Sequence, residues 1–164
     1  MEKTVLAESS TITLCVNGNA HVIDVDPSTP LLYVLRNRLG FKGAKLGCGL
    51  EQCGACAVLV NGQSKLTCVA PVAQFAGQSI VTIEGLRDDP TGAAVQRAFV
   101  DSGAAQCGYC TPGLVVAVCA LISSTPSPSE IEMRQALQPH LCRCGSHVRV
   151  MMAVRSLAGT GATR

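Results

Sequence analysis

A chain of 164 residues holds one domain of medium size or two small ones, and two small ones need staples, because each buries too little surface alone. Apolar residues make up 48% of it and charged residues 15%, which excludes a disordered chain, and a net charge of +2 with no basic block or basic-aromatic interleaving excludes nucleic acid as a partner. No run approaches the ~18 apolar residues of a membrane span, so direct membrane insertion is not expected either.

TITLCVNGNAHVIDV, residues 11–25, is two β-rich runs around Asn17-Gly18, a dipeptide that tolerates positive φ and predicts a type I′ hairpin. STPLLYVLRNRLG follows, with Ser28 or Thr29 as cap and Pro30 in the first turn. Leu31, Leu32, Leu35 and Leu39 stand at helical spacing, and Gly40 is the stop, which predicts a short amphipathic helix. After a cysteine-rich loop, CAVLV and QSKLTCV flank Asn61-Gly62 as a second hairpin, and SIVTIEG reads as one more strand.

From there the pattern is helical: PTGAAVQRAFVDSG, then TPGLVVAVCALISS with Thr111 as cap and Pro112 at the first helical position. Ser129-Glu130-Ile131-Glu132 is a capping box opening a third helix to Gln138. A fourth, Ser146 to Ala158, carries Val148, Met151, Met152, Val154 and Leu157 on its expected apolar side. SSTPSPS connects the second of these helices to the third. The expected fold class is α+β, a small sheet with a helix across it followed by helices, divided as residues 1–84 and 85–164.

The beginning, MEKTVLAESS, lacks the basic-then-apolar order of a secretory signal, so a cytoplasmic location is expected, or a periplasmic one if the chain is exported on a partner's signal. Ten cysteines in a reducing compartment are thiols rather than a disulfide framework, and metal binding is the first expectation. Cys48, Cys53, Cys56 and Cys68 are spaced C-x4-C-x2-C-x11-C, which opens as the plant-type ferredoxin motif does. A 2Fe-2S rhomb needs four thiolates pointing inward from a chain that wraps it. Gly47, Gly49 and Gly54 let such a loop take positive φ and bring amides close to sulfur. The other reading is structural zinc, which suits the short pair Cys53 and Cys56 but leaves Cys48 unexplained.

Cys107-x2-Cys110 and Cys142-x-Cys144 form a second set, each pair just before a predicted helix, whose positive N-terminus favours an anionic site. Alone, these pairs fit a cluster, zinc or a redox dithiol. Cys15, in a strand, and Cys119, in an apolar helix, are expected in the core. His21, His140 and His147 have no ligand spacing; the last two flank Cys142 and Cys144 and either tune a cluster or cap helices. Lys42 and Lys45 form a solvated rim or a docking contact.

GCGLEQCGAC with Cys68, then QCGYCTPG and LCRCG in that order, resemble the small iron-sulfur subunit of the molybdenum hydroxylases, the xanthine oxidase family, from residue 11 to 158. The resemblance implies an N-terminal β-grasp ferredoxin-like domain and a C-terminal four-helix bundle, each with one 2Fe-2S cluster on its four cysteines. It further implies that Gln106 and Cys144 contact a molybdopterin held by a large partner subunit, from which electrons pass outward. CGSHVRVMMAV, with His147 where many relatives have an aromatic residue, is similar to the small subunits of nicotinate, isoquinoline and aldehyde dehydrogenases. Such relatives hand electrons to a cytochrome c rather than a flavin subunit, and act on N-heteroaromatic compounds or aldehydes; this chain is expected to have no substrate site of its own.

Two rivals remain at this point. A free-standing two-cluster ferredoxin shuttle is disfavoured by the helical second half and by the low charge, since shuttles dock through charged faces. A zinc-stapled interaction module differs in its metal content.

Overall fold

In the computed structural model, which describes residues 9–158, strands β1 (Ser10–Val16) and β2 (Asn19–Val25) form the expected hairpin. Val16 faces Asn19, and Asn17 and Gly18 have φ of 50° and 77°, the pair of positive values a type I′ turn requires. Ile12, Leu14 and Val16 are buried on one face. Period-two alternation therefore turns Cys15 to the opposite face, where it is half-buried rather than in the core. Cys119, on a helix, is buried as expected, and burial pushes its thiol up to about 12.

Helix α1 is a single turn, Leu31–Tyr33, that runs on as a π-helical turn, Val34–Arg38, and ends before Gly40 at φ 77°. Its expected Ser28 or Thr29 cap is absent. Ser28 turns both its amide and its hydroxyl to Asp26, at 2.8 and 2.7 Å, and Pro30 occupies the cap position without a side-chain bond. The first amides of the helix find carbonyls elsewhere: Leu31 donates to Ala70 and Leu32 to Thr67, each at 3.0 Å. The segment carrying Cys68 is thereby laced to the start of α1.

Strands β3 (Val58–Val60) and β4 (Gln63–Lys65) make the second hairpin, with Asn61 and Gly62 at φ 49° and 80°. Strand β5 (Ser79–Val81) enters between β1, to which it is parallel, and β3, to which it is antiparallel, giving the order β2-β1-β5-β3-β4. Strand β3 is buried on both sides. Val58 and Val60 face a core with Leu14, Leu31, Leu35 and Ile80, while Ala57 and Leu59 face the helices, so CAVLV reads as a continuous apolar run rather than an alternation.

After a 3-10 turn, Asp89 caps α2 (Pro90–Asp101) by accepting the Gly92 amide at 2.7 Å. Helix α3 (Thr111–Ser124) begins one residue earlier than expected, with Cys110 rather than Thr111 at its N-cap. Ser129 and Glu132 close the expected capping box at the start of α4 (Glu130–Leu137). Helix α5 (His147–Ala158) packs on α2 and α3, α3 packs on α4, and α3 also lies on β3 and β4. The buried face of α5 is Val150, Met151, Ala153 and Val154; Val148 and Met152, expected inside, are exposed. No helix among the described residues is long and apolar enough to cross a membrane.

Candidate metal centres

Beyond Gly40 the chain curls into a loop held by cations that face inward. One guanidinium nitrogen of Arg36 donates to the carbonyls of Lys42 and Ala44 at 2.6 Å each, and Lys45 Nζ donates to the Gly43 carbonyl at 3.0 Å. Lys45 is thus a strut of the loop as well as part of its rim. Glu84 fastens the same loop to the exit of the sheet by accepting the Gly43 amide at 2.7 Å.

Amides then point at sulfur. Leu50 and Gln52 both donate to Cys48 Sγ at 3.3 Å, Cys48 donates to Cys53 Sγ at 3.3 Å, Glu51 to Cys68 Sγ at 3.4 Å, and Thr67 to Cys56 Sγ at 3.3 Å. Gly49 and Gly54 have positive φ, as expected of them; Gly47 does not, and its reason is space, since a Cβ there would stand 2.5 Å from Cys53 Sγ. Glu51, at φ 54°, also adopts the left-handed region, which nothing in its residue type announces. That conformation accompanies the bond from its amide to Cys68.

The amides of Gln52 and Leu50 hold the exposed Cys48 thiol down at about 7, whereas burial pushes Cys56, beside Cys68, up to about 11. Thr67 is fully buried and its hydroxyl donates to the Cys56 carbonyl at 2.7 Å, a support that sequence reasoning missed.

The second set assembles where α3 and α5 begin. Cys107 lies beside Cys144 and Cys110 beside Cys142, with Gly108 and Gly145 at positive φ turning the two loops. Cys142 is pushed up by burial, but the hydroxyl and amide of Ser146, at 3.0 and 3.5 Å, outweigh that and bring its thiol down to about 7. The Tyr109 amide, with the Cys144 thiol behind it, lowers Cys107, and burial raises Cys110 to about 11. Gln106 Nε2 donates to the Cys144 carbonyl at 3.0 Å, so these two residues meet at an exposed edge of the site.

Among the described residues no three Cys, His, Asp or Glu side chains converge on a point that would hold one ion. The thiols lie close to one another within each set: Cys48 beside Cys53 and Cys56 beside Cys68, Cys107 beside Cys144 and Cys142, and Cys110 beside Cys142 and Cys107. A tetrahedral zinc site gathers four ligands about one centre. A 2Fe-2S rhomb takes two thiolates at each iron, and amide bonds to its sulfurs stabilise its negative charge, so these residues fit the cluster.

Outside the sulfurs, His140 is buried, and burial pulls its ring down to about 4 against a backbone hydrogen bond with Gly54 that favours its charged form. His147 opens α5, and His21 stacks edge-on to Phe41, centroids 6.0 Å apart. The two loops also touch directly. The Tyr109 hydroxyl donates to the Leu46 carbonyl at 2.5 Å, and a Cβ on Gly113 would stand 2.2 Å from the Gly54 carbonyl oxygen. Gly113, a glycine inside a helical pattern, was a signal of close approach available in the sequence.

Residues 34–102 match the family described as 2Fe-2S iron-sulfur cluster binding domain, and residues 82–155 match the 2Fe-2S binding domain family. A nicotinate dehydrogenase subunit of Pseudomonas putida is 46% identical over 151 residues, covering 92% of this chain and 96% of that protein. The alpha subunit of isoquinoline 1-oxidoreductase from Brevundimonas diminuta is 40% identical over 149 residues, 90% of this chain and 97% of that one. A crystal structure of quinoline 2-oxidoreductase from Pseudomonas putida 86 superposes with a TM-score of 0.86 at 32% identity, covering 94% of this chain and 96% of the matched one. The chain belongs to the iron-sulfur subunits of the molybdenum hydroxylase family.

Like its relatives, this molybdenum hydroxylase iron-sulfur subunit is the electron-transfer part of an oxidoreductase, and it has the two 2Fe-2S domains of such subunits. The family also includes enzymes in which the matching part is one segment of a longer chain. The aldehyde oxidoreductase of Desulfovibrio gigas, TM-score 0.84 at 34% identity, is covered for 17% of its length by 92% of this chain.

Proposed function

We propose that this subunit carries electrons from a molybdopterin site on a large partner chain to an external acceptor, a cytochrome c or a flavin. One 2Fe-2S cluster rests on Cys48, Cys53, Cys56 and Cys68 in a β-grasp ferredoxin-like domain, and one on Cys107, Cys110, Cys142 and Cys144 in a four-helix bundle. When bound, each cluster supplies a one-electron couple. The chain's own residues gather the thiolates, aim the amides of Leu50, Glu51, Gln52 and Thr67 at sulfur, and shield Cys56 and Cys68 from water. The single observation that supports this reading most is the presence of two four-thiol sets, each gathered at its own loop pair.

The contact with the pterin falls to Gln106 and Cys144, which are joined by a hydrogen bond and face outward beside the bundle site. The substrate is an N-heteroaromatic compound, or an aldehyde, bound by the partner; the names of the nicotinate, isoquinoline and quinoline enzymes among the relatives support the first. Metal analysis of the purified chain tests the reading. About four irons and four acid-labile sulfides per chain are expected, and zinc in their place would overturn it.

A further inference from the structure

At the first thiol set the loop reaches sulfur with backbone amides, those of Cys48, Leu50, Glu51, Gln52 and Thr67, which no side-chain replacement removes. The second set adds a hydroxyl. Ser146 Oγ lies 3.0 Å from Cys142 Sγ, and the Ser146 amide points to the same sulfur at 3.5 Å. Gly145, at φ 76° with open space about its missing Cβ, turns the chain left-handed after Cys144 and brings Ser146 back over Cys142. Ser146 stands immediately before α5, and its carbonyl accepts the Val150 amide at 3.0 Å, so it fills the N-cap position of that helix. The hydroxyl of an N-cap serine ordinarily serves an amide of the first turn; this one has a sulfur within hydrogen-bond reach. Ser146 is 2% exposed, so water does not compete for it.

Between a thiol and a hydroxyl either atom can donate. As a cluster ligand Cys142 is a thiolate without a proton, and the hydroxyl becomes the donor of the pair. A hydrogen bond to an anionic sulfur strengthens as negative charge on it grows, and one electron added to a thiolate-held cluster adds one negative charge. We propose that the Ser146 hydroxyl sets the potential of the site of Cys107, Cys110, Cys142 and Cys144: its hydrogen bond to Cys142 Sγ raises the reduction potential there and leaves the site of Cys48 unchanged. The inference rests on the cluster assignment proposed above and adds a side chain outside the ligand set. One electron enters on reduction and one leaves on oxidation; no covalent bond changes, and the serine keeps its proton. The direction of the effect favours uptake of an electron from the partner's side.

The test is a redox titration of the full holo-chain, each site followed through its own electron paramagnetic resonance signal. Ser146→Ala should keep both signals and lower the reduced-to-oxidised ratio of the bundle site at a fixed poise roughly tenfold, about 59 mV for one electron, while the other site stays in place. Ser146→Gly, which preserves a helix start almost as well as serine, should shift the bundle site equally. Ser146→Thr keeps both hydroxyl and cap and should return it. Double-resonance spectra in D2O should show one coupled exchangeable proton fewer in the alanine variant. Where that variant loads no iron at the bundle site, α-aminobutyrate in place of Ser146, with serine's shape and a methyl for the hydroxyl, gives the same reading. A bundle-site potential unchanged without the hydroxyl, or lowered as much in Ser146→Thr, overturns the inference while leaving both clusters in place. Equal shifts at the two sites overturn it as well, since they report a general loosening of the chain. A chain without iron would instead overturn the assignment on which the inference rests.

Discussion

Cys48 and Cys56 are both sulfur atoms on one loop, yet they differ widely in proton affinity. Cys48 receives two amides and stands in water, which holds its thiol at about 7; Cys56 is buried, which raises it to about 11. A lowered thiol is a thiolate above its own titration point, and the thiolate is the reactive form. In the iron-stripped chain, alkylation at pH 8 followed by mass spectrometry should label Cys48 well before Cys56, and labelling of Cys48 should fall off as pH drops below about 7. Equal rates at the two positions would contradict the amide geometry. The residue types of this site were legible in the sequence because thiol spacing is local. Glu51 at positive φ, buried Thr67 and the seating of His140 were not, because each answers to a partner distant in the chain.

Elements divide along the same line. Both two-residue hairpins, the capping box at Ser129 and the Ser-Thr-Pro connector lie where the sequence places them, since a turn or a cap is settled within a few residues. The start of α1 does not, because its orphan amides are taken by the carbonyls of Thr67 and Ala70 instead of by Ser28 or Thr29. On α5 the stripe containing Val148 and Met152 and the stripe containing Val150 and Val154 overlap in periodicity, and packing against α2 chooses the second. Glycines at positive φ give a graded test of what surrounds each loop. Gly62, with open space about its missing Cβ, should tolerate alanine at about 1 kcal/mol, the left-handed penalty alone. Gly54→Ala meets the His140 ring as well and should lose roughly 2–4 kcal/mol in denaturant unfolding. Equal losses would mean that the contact between Gly54 and the His140 ring is loose.

At the scale of the molecule, strand β3 belongs to two cores at once, and the loops holding the two thiol sets are packed back to back rather than tethered by a linker. The order of sheet before helices was legible because the hydrophobic period changes from two to that of a helix after residue 84. The contact between the loops was not, since no pattern pairs Gly54 with His140 or Leu46 with Tyr109. An assembly with a large partner predicts that Gln106→Ala leaves both thiol sets intact, because the lost bond is exposed, yet slows reduction of the clusters by substrate in the complex. Unchanged reduction kinetics would remove Gln106 from the pterin contact. Eight cysteines are proposed to divide into two independent sets. Electron paramagnetic resonance of the reduced Cys53→Ser chain measures that division: one of two signals should vanish and the other keep its shape, whereas retention of both would contradict it.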